Sequence, residues 1–173
     1  MNVDPVLLWI VQVATGCLFL TSVLHKLGDW GGFRDTLSAY DVVPPRLLRI
    51  ASIALVALEV LTGAGAVLGV DAAFVLAAAL LGGYAAVMAS SLMQGRHLLD
   101  CGCGGARQPV SWWLFARNVV LAVFVLLGTA TPASRVLGVL DYASIAGGVA
   151  MLALIYAAAN ELLASQARLE EWV

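Results

Sequence analysis

Charge is what this sequence has least of. Only 12% of its 173 residues are Asp, Glu, Lys or Arg, about half the share of a soluble globular domain. Nine basic against eleven acidic residues leave a formal net charge of −2. No basic stretch supplies the electrostatic footprint that nucleic-acid binding requires, so no nucleic acid is expected as a partner. Three cysteines are too few for a secreted disulfide scaffold. Residues 1–5 carry no Lys or Arg, and no small-x-small cleavage site precedes a soluble domain. The first apolar run therefore reads as a retained helix rather than a removable signal.

What the chain has instead is apolar length. Hydrophobic residues make up 62% of it, and the mean hydropathy is +0.95. A hydrocarbon core about 30 Å thick takes roughly 20 apolar residues in a helix. Residues 6–27, 47–70, 72–94 and 111–129 meet that requirement. Residues 142–163 meet it up to Asn160 and Glu161, in an Ala- and Gly-rich run suited to close helix packing. The expected fold is an all-α polytopic bundle in one integral membrane domain, with four core helices and a fifth. The lipid bilayer is its first partner.

The links differ in character. Residues 28–46 are polar and hold Asp29, Arg34, Asp35, Asp41 and the pair Pro44-Pro45. Phe33, Leu37 and Tyr40 fall at i, i+4 and i+7, which predicts a short amphipathic helix in the interface, stopped by the prolines. Gly69-Val70-Asp71 is a tight turn. Trp112 and Trp113 open the fourth span, where interfacial tryptophans belong. Alternating spans put the first loop, the loop at 95–110 and the C-terminal end on one side. That side carries Lys26, Arg34, Arg46, Arg49, Arg96, Arg107, Arg117 and Arg168, and the other carries Arg135 alone. The positive-inside rule then places the 95–110 loop in the cytoplasm and the N-terminus outside.

That loop contains the chain's concentrated chemistry, Asp100-Cys101-Gly102-Cys103-Gly104-Gly105. Two cysteines two residues apart sit at the edge of the Cα separation a disulfide tolerates, and a kink at Gly102 brings them inside it. Strain in so small a ring makes the bond exchangeable. Arg96, His97 and Arg107 favour a thiolate, whereas the adjacent Asp100 opposes one. Zinc held by Cys101, Cys103, His97 and Asp100 is a competing reading, but structural zinc favours a longer Cys–Cys spacing. A third is a pair with no role, against which stands the liability of unpaired surface cysteines. Thiol–disulfide exchange is the preferred reading, with Cys101 and Cys103 as the reacting pair and no metal. Cys17, alone in the first span, reads as a small packing residue.

Four other polar residues lie at membrane depth. Glu59 is near the middle of the second span, where an ionised side chain costs on the order of 2.5–3.5 kcal/mol on lenient scales. It is either a proton acceptor for thiol or quinone chemistry or a buried hydrogen-bonding post. Lys26, at the end of the first span, reads as snorkelling to the interface. Arg117 and Asn118 lie about two turns into the fourth span, and an arginine at that depth should meet a carboxylate, with Glu59 and Asp100 the candidates, or the loop's own carbonyls. No bound cofactor is expected. Trp112 and Trp113 are the sole marks of a quinone site, and they read first as membrane anchors.

These residues resemble the MauE family of methylamine-utilisation accessory membrane proteins, within a wider MauE/DoxX-like group. The resemblance covers roughly residues 6–128. It rests on His25-Lys26-Leu27, on Phe33 to Tyr40 with Val43-Pro44, and on Leu58-Glu59 with Gly63. The loop Asp100 to Gly104 and Arg117-Asn118 complete it. Where the family commonly has Phe, this chain has Gly104, so an aromatic contact there is in doubt. The resemblance implies a place in the bacterial inner membrane and a role in maturing methylamine dehydrogenase, whose small subunit carries several disulfides. It also implies a thioredoxin-like, MauD-like partner: a partner thiolate would attack Cys101 or Cys103, and the other cysteine would resolve the mixed disulfide. That partner belongs in the periplasm, opposite to the face the charge count selects. The alternatives are a non-catalytic docking scaffold for the maturation machinery and, last, a small-molecule transporter using Glu59.

Overall fold

The described residues of the computed structural model, 3–96, 99 and 109–170, fold into six α-helices. Helix α1 (Pro5–Gly28) begins where its sequence provides for a start. Pro5 takes the first turn, where its missing N–H is no loss, and the Asp4 carboxylate accepts from Val6 N at 2.9 Å. Asp29 then serves two helices. Its N–H donates to His25 O at the end of α1, and its carboxylate accepts from Gly32 N to cap α2 (Trp30–Ala39). The short amphipathic helix of the first loop is thus present. It stops before the prolines, at Asp41, whose φ of +56° is a left-handed conformation that Asp tolerates better than most residues.

One 3-10 turn at Pro45–Leu47 leads into α3 (Leu48–Val67). The link to α4 (Asp71–Met93) turns on Gly69 at φ +70°. Helix α5 (Trp112–Leu126) is capped by Ser111, and α6 runs from Val139 to Glu170. Five segments are long and apolar enough to cross a membrane: Pro5–Gly28, Pro45–Val67, Asp71–Met93, Trp112–Thr129 and Val139–Leu162. Their outward faces carry Leu24, Leu61, Val120, Val123 and Leu154 fully or largely exposed. That surface would be an aggregation hazard in water and is ordinary against lipid.

Packing pairs α1 with α3 and α4 with α5, and the pairs join chiefly through α3 and α4. At Gly16 the α1 and α3 backbones come so close that a Cβ would run into the Val67 side chain and stand 3.3 Å from Gly63 O. Phe19, Ala77, Leu81 and Val125 make the central core between α1, α4 and α5. Phe33 of α2 is buried against Val23 and Val56, so α2 packs on the bundle as well as facing the interface. Helix α6 rests mainly on α1.

At the N-terminal end, Val3 pairs with the segment after α5, donating to Thr131 O and accepting from Ala133 N. Arg135 bridges Asp4 at 3.3 Å and Asp141 at 2.8 Å. The Val6 N–H, and then Arg135, hold the Asp4 carboxyl below its ordinary value.

Candidate functional site

Three helices send polar side chains to a single point inside the bundle. Lys26 from α1 and Glu59 from α3 form an ion pair, with the two residues 4% and 1% exposed. The same oxygen, Glu59 Oε1, accepts from Tyr84 Oη of α4 at 2.6 Å and from Ser22 Oγ at 3.4 Å. Lys26 Nζ lies 3.3 Å from Tyr84 Oη and over the rings of Phe33 and Tyr84, 5.3 and 5.1 Å from their centroids. Lys26 therefore does not snorkel. A lone buried carboxylate would carry the whole desolvation cost, and the ammonium turned inward with two aromatic faces around it offsets that cost.

Arg117 does not meet Glu59, whose Oε1 is taken by Lys26, Tyr84 and Ser22. It reaches across to α6 instead, donating to Asn160 Oδ1 and stacking 5.5 Å from the centroid of Tyr156. The other candidate carboxylate, Asp100, lies outside the described residues. Asn118 is buried, donating to Leu114 O at 2.9 Å and approaching Met88 Sδ at 3.7 Å. Cys17 is exposed on the outside of α1 rather than packed, and it does not line the cavity described next.

Both polar groups line one cavity of about 520 Å³, with all six helices contributing to its walls. Leucine and aromatic side chains form much of its surface, and its polar lining includes the Lys26–Glu59–Tyr84 cluster, His25, Arg117, Asn118, Asn160 and Glu161. His97, Asp100, Cys101, Gly102 and Cys103 lie outside the described residues. The two ends of their loop do not: Val110 N donates to Leu99 O at 2.9 Å. Leu99 and Val110 pack with Met88, Leu92, Leu114 and Tyr40. Met88 and Tyr40 also line the cavity, and Met88 is one helical turn, about 6 Å, beyond Tyr84. The stem of the cysteine loop thus sits on the cavity rim, roughly one to two turns above the ion pair.

Residues 4–131 match the family model described as methylamine utilisation protein MauE. The chain belongs to the MauE family. Two relatives carry the name methylamine utilization protein MauE. The one from Paracoccus denitrificans is 36% identical over 170 residues, covering 92% of this chain and 89% of the relative. The one from Paracoccus versutus is 33% identical over 166 residues, covering 92% and 88%. No solved structure matches. The MauE match begins at the Asp4 cap and ends just past the last turn of α5, so it takes in the ion pair, Tyr84, the cysteine loop and Arg117, and stops short of α6.

Sequence reasoning overlooked Tyr84 and the inward turn of Lys26. Both had a signal. Tyr84 is the one polar side chain in the middle of α4, between Asp71 at its start and Ser90-Ser91 near its end, and a mid-span Glu59 demands a cation.

Proposed function

We propose that this MauE chain is a membrane thiol–disulfide exchange protein in methylamine utilisation. In this reading it works with a thioredoxin-like, MauD-like partner to mature the disulfide-bearing small subunit of methylamine dehydrogenase. The observation that carries the reading is the Cys101-Gly102-Cys103 loop, whose stem is fixed on the rim of a cavity holding the bundle's buried ion pair. The names of the two relatives support the pathway.

The exchange needs only the chain's two loop sulfurs and a partner disulfide. One Sγ, as thiolate, attacks the partner disulfide; a mixed S–S bond forms while the partner's own bond breaks, and its second sulfur leaves as thiolate. The other loop Sγ attacks the mixed disulfide, closing the 101–103 bond and releasing the partner as a dithiol. Run backwards, the same steps oxidise the partner. Gly102 lets the small ring close, His97 favours the thiolate and Asp100 opposes it. Arg117 braces α5, which follows the loop, against α6. Glu59, in the cavity below the loop stem, is a candidate to take up a thiol proton.

The test pairs Cys101→Ser and Cys103→Ser with an assay of mature client and with impermeant thiol labelling of intact cells before and after reduction. Each single variant is expected to lower client maturation at least about tenfold, as loss of a nucleophile does. Normal maturation in both would sink the reading. Labelling of intact cells after reduction places the pair on the outer face; labelling after lysis alone places it inside.

A further inference from the structure

Within the cavity, Glu59 spends its hydrogen-bonding capacity unevenly. Oε1 accepts from Lys26, Tyr84 and Ser22, while Oε2, equally buried, accepts from no described residue. A buried carboxylate oxygen without a donor is costly, and a ligand that brings a donor recovers that cost. The charge balance restricts which donor fits. Lys26 and Glu59 already neutralise one another, and Arg117 and Glu161 line the same cavity with opposite charges, so an added ion of either sign would share it with a like charge. The walls, including Leu18, Leu37, Leu55, Leu80 and Leu121, ask for an apolar body, and about 520 Å³ is an ordinary size for a small-molecule site.

We propose that this cavity binds a neutral, lipid-soluble molecule whose hydroxyl donates to Glu59 Oε2 while its apolar body lies among the leucines. This is a binding site independent of the thiol–disulfide reading, since it needs neither cysteine. A hydroxyl on an apolar body comes from two chemical sources, an alkylated hydroquinone or a long-chain aliphatic alcohol, and the bilayer supplies both without passage through water.

The test is titration calorimetry on the full chain in detergent, with decylhydroquinone, dodecanol and the methyl ethers of each as probes. The hydroxyl forms bind, and the ethers bind about tenfold or more weakly, as loss of one hydrogen bond to a charged acceptor implies. Glu59→Gln, which places an amide N–H₂ where Oε2 was, abolishes that preference. Gly83 lines the cavity, and a Cβ there meets nothing within 4 Å. Gly83→Leu therefore narrows the cavity, weakens binding of the hydroxyl probes about tenfold or more, and carries the test alone if Glu59→Gln does not fold. Binding of one hydroxyl probe and not the other identifies the source, and binding of both identifies the hydroxyl as the shared determinant. Equal binding of hydroxyls and ethers, wild-type binding by Gly83→Leu, or no binding of either hydroxyl overturns the proposal.

Discussion

Lys26 and Glu59 each carry charge into a region where neither is tolerated alone, and each is buried by a different helix. Their worth is therefore conditional. Lys26→Leu leaves Glu59 without its ammonium and is expected to destabilise the protein by about 3–5 kcal/mol, whereas Lys26→Leu with Glu59→Leu costs much less, because no orphaned charge remains. Denaturant unfolding of the single and double variants in mixed micelles measures this, and a double variant as unstable as the single would contradict it. At this scale the sequence tells half the story. Glu59 announces a problem by its position alone. Its solution does not, because a lysine at the end of a span has a stem long enough to point either outward to water or inward to a carboxylate. Tyr84 is hidden for a related reason: its ring suits an apolar helix, and only the fold brings its hydroxyl to α3.

Among the elements, the apolar spans were the most legible, since a chain crossing lipid must satisfy its backbone within each segment and the helix does so. The short helix α2 was legible from Phe33, Leu37 and Tyr40, but its stop at Asp41 was not, because a left-handed residue leaves no mark in hydrophobic periodicity. Close helix approach is equally silent until neighbours are known. Gly16 and Gly82 are both helix glycines in apolar surroundings, yet a Cβ at Gly16 meets Val67 and the Gly63 carbonyl while one at Gly82 meets nothing within 4 Å. Gly16→Val is expected to push α1 from α3 and cost about 1–3 kcal/mol. Gly82→Ala is expected to be neutral or to stabilise by up to about 1 kcal/mol. Thermal melts of the two purified variants, compared with wild type, separate these outcomes.

For the whole molecule, the bundle divides into α1–α5, which the MauE model covers, and α6, which it does not and which rests mainly on α1. Truncation after residue 137 keeps the Asp4–Arg135 bridge and is expected to leave α1–α5 inserted and folded, with the Arg117 side of the cavity opened by loss of Tyr156 and Asn160. Limited proteolysis and melting of the truncated chain check this; a chain that fails to insert would show that α6 is required. The cysteine motif is visible in the string itself, and its residues lie outside the described ones. The cavity is not visible there, because its walls come from segments far apart in the chain. The structure also changes how the charges count. Lys26 is buried in the ion pair and Arg117 is braced against α6, so two of the eight basic residues that span alternation assigns to the cysteine-loop side are not free surface charges.

The bond from Val110 to Leu99 closes the base of the segment that holds Cys101 and Cys103. Chain length alone keeps Cys101 within about 7 Å and Cys103 within about 14 Å of Leu99, counting two and four residues at full extension. Leu99 is itself pinned to the bundle by Met88 and Leu114. In the proposed exchange, a partner therefore has to bring its own sulfur to within that reach of Leu99.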